Sequence, residues 1–196
     1  MVKVIMNRHK AIKWVQSGEN YFRGWFFDEY GFHDKDDALS FFNFNNDDSF
    51  INRINSINGN YACVYRDECN TYVAVDRIRS FPLFYTIFGN DVYISDSIEK
   101  LREVTRKDKF KIEHVQELMA TGYITGEKTI YENIYQVQAG EYLSINNITG
   151  KIEAHNHYIH RHNNACNKSS QELCEELDIV LLNVFRRLIK SVKGKP

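Results

Sequence analysis

Apolar and polar residues alternate along much of this chain in short runs, the pattern of strands half-buried on a sheet. Three such runs, Tyr61 to Tyr65, Tyr72 to Val75 and Phe81 to Phe88, are rich in β-branched and aromatic side chains. The polar cluster Arg66-Asp67-Glu68-Cys69-Asn70 has the length of a hairpin loop, and Asp76 to Ser80 forms a turn ahead of Pro82. Gly89-Asn90 then turns the chain into a fourth run, Asp91 to Asp96. Upstream, Ala11 to Gln16 and Asn20 to Phe27 flank Ser17-Gly18-Glu19 as a first hairpin with Asp28-Glu29-Tyr30-Gly31 as its exit turn. Downstream, Leu143 to Ile145 and Ile152 to His157 flank Asn146 to Gly150 as another.

Helical spacing fills the gaps between these strands. Asp34 to Asp37 precede Ala38, Leu39, Phe41 and Phe42, an acidic start that suits a helix N-terminus. Phe50, Ile51 and Ile54 predict a short helix over 49–55, stopped by Asn58-Gly59. A helix from Ile98 to about Val104 takes Ser97 or Asp96 as its cap, and a further one over Ile112 to Thr121 is closed by Gly122. After a polar linker, 161–168, the capping box Ser169-Ser170-Gln171-Glu172 opens a long amphipathic helix with apolar residues from Leu173 to Val192 at 3.6 spacing. No internal repeat or low-complexity tract interrupts the series.

Composition narrows the function classes. With 43% apolar and 14% aromatic residues in 196, the chain has ample material for a core. Lys plus Arg number 25 against 26 Asp plus Glu, a net charge of −1 that offers no field to recruit nucleic acid or an anionic membrane. The four cysteines, Cys63, Cys69, Cys166 and Cys174, include no C-x-x-C pair, so a cytoplasmic chain without disulfide staples is expected. The first ten residues hold no apolar signal region and no stretch reaches 18 apolar residues, so neither export by that route nor a membrane span is expected.

The stretch 57–88 carries the family signal. Gly59-Asn60-Tyr61-Ala62 opens one strand, and Val75-Asp76-Arg77-Ile78-Arg79-Ser80-Phe81-Pro82-Leu83-Phe84-Tyr85 opens another. About 40 residues further on come Gly122-Tyr123-Ile124, Thr129-Ile130-Tyr131-Glu132-Asn133-Ile134 and Gly140-Glu141-Tyr142-Leu143. In order and spacing this resembles the N-terminal class II glutamine amidotransferase domain of the asparagine synthetase family. Ser95-Asp96-Ser97-Ile98-Glu99-Lys100-Leu101 follows the same family between the two matches. The pattern departs at Val75, where the family has Arg, at Arg79 or Ser80, where it has Gly, and at Ala139, where it has Pro.

The resemblance covers about residues 57 to 196, and it implies an α+β, Ntn-hydrolase-like fold. That fold is a layered αββα arrangement of two antiparallel sheets with flanking helices, here with an appended C-terminal amphipathic helix. It divides the chain into a degenerate glutaminase-like domain over 1–160, a linker over 161–168, and the first helix of a synthetase domain over 169–196. Gly59, Ala62, Asp76, Arg77, Pro82, Leu83, Tyr85 and Gly140 are the motif residues it marks, for shape and domain contact rather than chemistry. The family attacks glutamine with an N-terminal Cys whose own α-amine is the base, whereas this chain starts Met1-Val2, so no catalytic residue is assigned. The resemblance places ATP and Mg only in the synthetase domain, whose Ser-Gly-Gly-x-Asp-Ser loop would follow Pro196.

The reading is therefore a non-catalytic N-terminal domain of an asparagine-synthetase-like, ATP-dependent amide-forming protein, like relatives such as β-lactam synthetases and lasso-peptide cyclases that lost the Cys. Two other readings stand beside it. One is an active glutaminase using an unrecognised nucleophile; the other is a stand-alone scaffold or metal-binding module. For the last, His155, His157, His160 and His162 fall within eight residues, and they fit either a divalent metal site or a polar strand end. Cys63 alternates with core residues and reads as a small buried hydrophobe. The partners expected are a synthetase domain, its own or separate, and a second copy of the chain through the helix over 169–192, whose apolar stripe favours self-association.

Overall fold

Two-sided burial of the central strands organises the architecture. A computed structural model describes residues 1–7, 11–42, 47–106, 109–161 and 167–192. Its strands are β1 (Val2–Ile5), β2 (Val15–Ser17), β3 (Asn20–Phe27), β4 (Phe32–Asp34), β5 (Asn58–Arg66), β6 (Asn70–Val75), β7 (Phe84–Phe88), β8 (Asp91–Ser95), β9 (Ile134–Gln136), β10 (Glu141–Asn146) and β11 (Ile152–Asn156). The helices are α1 (Lys35–Phe41), α2 (Asp47–Ser56), α3 (Ile98–Thr105), α4 (Ile112–Thr121) and α5 (Ser170–Val192).

The larger sheet runs β11-β10-β6-β5-β3-β2, with β4 paired to the far end of β3, and all its pairings are antiparallel. The smaller runs β1-β8-β7-β9. It is mixed rather than antiparallel, because β1 lies parallel to β8 with Val2 opposite Val92 and Ile5 opposite Ser95. The period of two along each strand sends its side chains to opposite layers. Tyr61, Cys63 and Tyr65 of β5 join Phe22, Phe26, Phe50 and Tyr72 in an aromatic core under α1 and α2. Ala62 and Val64 of the same strand meet Val73, Val75, Leu83, Val92 and Ile94 between the sheets. On the outer face of the smaller sheet Tyr93 and Ile134 pack on Leu101 of α3. The result is the αββα layering of an α+β fold.

Local chemistry accounts for the helix ends. Ser97, not Asp96, caps α3 by accepting from Lys100 N, and Gly122 closes α4 at φ 80°. Ser169 and Glu172 form the reciprocal capping box ahead of α5, with Ser169 N donating to Glu172 Oε2 at 2.8 Å. Gly59 does not stop α2. It sits inside β5 opposite Phe26, and a Cβ there would run into Trp25 O and Phe26 Cα of the neighbouring strand. Only a glycine allows that approach.

The short strands β1, β4 and β9 are not legible as separate elements in the sequence, and each holds its shape through one longer neighbour. On α4, Ile112, Leu118 and Met119 are exposed and Val115 is half-buried. Because backbone rather than a flexible side chain blocks position 59, Gly59→Ala should lower stability by roughly 3 kcal/mol or more in urea denaturation.

Candidate functional site

Two polar constellations interrupt this apolar architecture. The first is built on Asp76, the residue that follows β6 and is 1% exposed. Its Oδ2 accepts from Tyr61 N and Ser80 N, both at 3.0 Å, and its Oδ1 accepts from Ile78 N at 2.9 Å. Its carbonyl accepts from Arg79 N and Gly140 N, while its own N–H donates to Tyr61 O. One residue thereby ties β5, the turn over 76–80 and the entry to β10.

Gly140 is held at φ 69°, where a Cβ would strike Tyr158 O, and its carbonyl accepts from His157 N and Tyr158 N. The Arg77 guanidinium lies over the Tyr158 ring, 4.9 Å from its centroid. Asn58, Gly59, Asn60, Asp76, Arg77 and Ile78 line one side of an open cleft of about 310 Å³ here, facing Tyr158 and His160. The chain takes a left-handed turn at Arg79, φ 57°.

The remaining motif residues go elsewhere. Ala62 and Leu83 are fully buried between the sheets, and Pro82 is half-buried beside them. Tyr85 stacks on Tyr135 at 5.3 Å and donates its hydroxyl to Glu127 Oε2 at 2.9 Å; burial, reinforced by that carboxylate, raises its pKa. Thus Gly59, Asp76, Arg77 and Gly140 converge, whereas Ala62, Pro82, Leu83 and Tyr85 hold the space between the sheets and the smaller sheet.

The second constellation lies where the ends of β1 and β8 approach β3. Asp96, 4% exposed, accepts from Asn7 N at 2.8 Å, Trp14 Nε1 at 3.0 Å and the Arg23 guanidinium at 3.2 Å. Arg23 is 8% exposed, lies over the Phe81 ring at 4.8 Å, and has its pKa lowered by burial against the opposing pull of Asp96. Breaking such a pair strands a buried charge, so each partner holds the other in place. This pair escapes sequence reasoning, which weighs Asp96 only as a helix cap. The available signal is a charged residue at an inward position of β3, between Tyr21 and Trp25 on one face.

The histidines do not gather. His157 turns its Nε2 to Val75 O at 2.9 Å, and burial lowers its pKa; His155 stacks on Tyr142 at 5.1 Å; His160 lies beside Tyr158. His162 lies outside the described residues, and among the described residues no three His, Cys, Asp or Glu side chains are grouped to hold a metal. Cys63 is 2% exposed on the helix-facing side of β5, and burial pushes its thiol up to about 12. Cys69 and Cys174 are exposed.

Residues 50–158 match the glutamine amidotransferase domain family, more than half of the chain, and the chain belongs to that family as a class II domain. Among solved structures it is similar to glutamine phosphoribosylpyrophosphate amidotransferase from B. subtilis complexed with ADP and GMP, with 12% identity over 74% of this chain and 31% of that one, TM-score 0.40. It is also similar to a structure described as the allosteric regulatory enzyme of purine biosynthesis, with 13% identity over 81% of this chain and 33% of that one, TM-score 0.40. The chain spans about a third of the length of each. No curated protein matches. The family is thus glutamine amidotransferase, a coarser statement than the asparagine synthetase resemblance.

Removal of the Asp76 carboxylate leaves three backbone N–H groups unpaired. Asp76→Ala should therefore cost roughly 3–5 kcal/mol in urea denaturation, with Asp76→Asn intermediate. Ellman's reagent at pH 8 should modify Cys69 and Cys174 in the native chain but leave Cys63 protected until denaturant is added. Cys63→Ala should then leave the native thiol count unchanged and lower the denatured count by one.

Proposed function

We propose that this is a class II glutamine amidotransferase domain that does not itself hydrolyse glutamine. In this reading it serves as the N-terminal structural domain of an asparagine-synthetase-like, ATP-dependent amide-forming protein. The observation that carries it is the position of the nucleophile-bearing side chains. β1 consists of Val2, Lys3, Val4 and Ile5 and carries no thiol or hydroxyl. Among the described residues the buried thiol is that of Cys63, which faces the aromatic layer under α1 and α2, on the far side of the larger sheet from β1. Of the hydroxyls near β1, Ser95 donates to Ile5 O at 2.5 Å and accepts from Ser97 N at 3.1 Å, Thr71 donates to Asn147 Oδ1 at 2.7 Å, and Tyr93 accepts from Lys3 Nζ at 3.1 Å, so each is engaged in a structural contact. Attack on a carboxamide needs a nucleophile with a base in reach, and this arrangement supplies packing instead.

The role proposed is contact with a synthetase domain, in the same chain or a separate one, and ATP and Mg belong to that domain rather than to this chain. The Asp76 turn and the Arg77–Tyr158 pair form the surface suited to that contact, because they combine a rigid backbone with exposed Ile78, 75% accessible. Incubating the purified chain with glutamine and measuring ammonia should give no release above buffer. Turnover that survives replacement of Cys63 and Cys69 by Ala would mean an active glutaminase with another nucleophile, and would sink this reading.

A further inference from the structure

The Arg77 guanidinium is left without an answering charge by its own chain. It is half-buried, and among the described residues it has no hydrogen-bond or ion-pair partner. Asp76, its neighbour, does not serve, because that buried carboxylate accepts from Tyr61 N, Ile78 N and Ser80 N. Arg77 is held instead by the Tyr158 ring, whose centroid lies 4.9 Å from the guanidinium carbon. Tyr158 is fixed in turn, since its N–H donates to Gly140 O at 3.1 Å and Gly140 N donates to Asp76 O at 3.0 Å. Cation and ring are therefore positioned before any partner arrives.

The surroundings suit an acid. A guanidinium laid on an aromatic face keeps its N–H edge for a carboxylate, which can accept two of those donors at once. A cation half out of water and unpaired is unfavourable, and pairing recovers part of that loss. Asn58, Asn60, Tyr158 and His160 line the rest of the cleft, and the one acid in its lining is Asp76, already engaged. At about 310 Å³ the space takes a side chain and its neighbour rather than a helix. Beside the cation stands Ile78, 75% exposed, with its backbone N–H pinned to Asp76 Oδ1.

We propose, resting on the reading of the Asp76 turn as the face toward a synthetase domain, that this cleft receives an Asp or Glu side chain of that domain. The carboxylate sits on the Arg77 fork, and an apolar side chain next to it covers Ile78. Arg77 then sets the register of the two domains, because a wrong register leaves both charges unpaired. Ile78 supplies the dry contact that keeps water from the pair.

Three probes stand in for the partner: N-acetyl-Glu-Leu-amide, N-acetyl-Gln-Leu-amide and acetate, each titrated into the isotope-labelled full chain and followed by NMR. The glutamyl peptide should shift the Arg77 Nε–H and Ile78 methyl signals at millimolar concentrations, and the glutaminyl peptide should bind roughly 5-fold more weakly. Acetate should move Arg77 alone and bind more weakly than the glutamyl peptide. Arg77→Lys keeps the charge without the fork and should weaken the glutamyl peptide roughly 3-fold, while Arg77→Met should erase its advantage over the glutaminyl one. Ile78→Ser, at an exposed site, should bring the peptide down to the affinity of acetate. Equal binding of the two peptides to the unaltered chain, or no response at Arg77, would overturn the proposal. So would acetate binding as tightly as the glutamyl peptide, which would make the cleft a site for a free small acid. Ammonia release from glutamine would sink the non-hydrolysing reading of the domain and leave these titrations unmoved.

Discussion

The carboxylate of Asp76 is the constraint on which the rest of the structure leans. It gathers Tyr61, Ile78 and Ser80 through their backbone N–H groups. Its carbonyl gathers Arg79 and Gly140. The turn that follows takes the chain out of the larger sheet and, after Leu83, into β7 of the smaller one. Leu83 is where the link shows, since it is fully buried between the sheets and its carbonyl accepts from Val137 N, just after β9. A charged group this buried is tolerated because its acceptor capacity is filled by backbone donors.

The Arg23–Asp96 pair does a comparable job at the other end of the inter-sheet layer. It joins β3 of the larger sheet to the end of β8 in the smaller, and through Asn7 and Trp14 it also fixes the chain leaving β1. Polar ties at two places and an aliphatic core between them explain how a small mixed sheet stays registered on a larger antiparallel one. On the far face of the larger sheet, the Cys63 thiol lies in the aromatic layer under α1 and α2.

Strands β5, β6, β8 and β10, helix α3 and the capping box of α5 are legible in the sequence because each rests on local chemistry: alternation, a turn residue, a capping side chain. The fate of Gly59 is not legible. A glycine following a short helix reads as a helix stop, and only the position of β3 reveals that it is a point of close approach. The left-handed turn at Arg79 is masked for a similar reason, since the tie to Asp76 overrides a residue preference that would favour glycine. Of the motif residues, the convergence of Gly59, Asp76, Arg77 and Gly140 follows from strand pairing across some eighty residues, which spacing alone cannot supply.

The stretch around Asp76 thus marks a division. By itself the sequence determined most of the element series, the α+β class and the glutamine amidotransferase family, because these depend on residue type and short-range order. Tertiary structure alone decided that β1 runs parallel to β8, that Arg23 reaches Asp96, that His155, His157 and His160 make separate contacts and that the apolar stripe of α5 lies open. The reason is physical: each of these is a contact between residues far apart in the chain, and its energy exists only once the layers have closed.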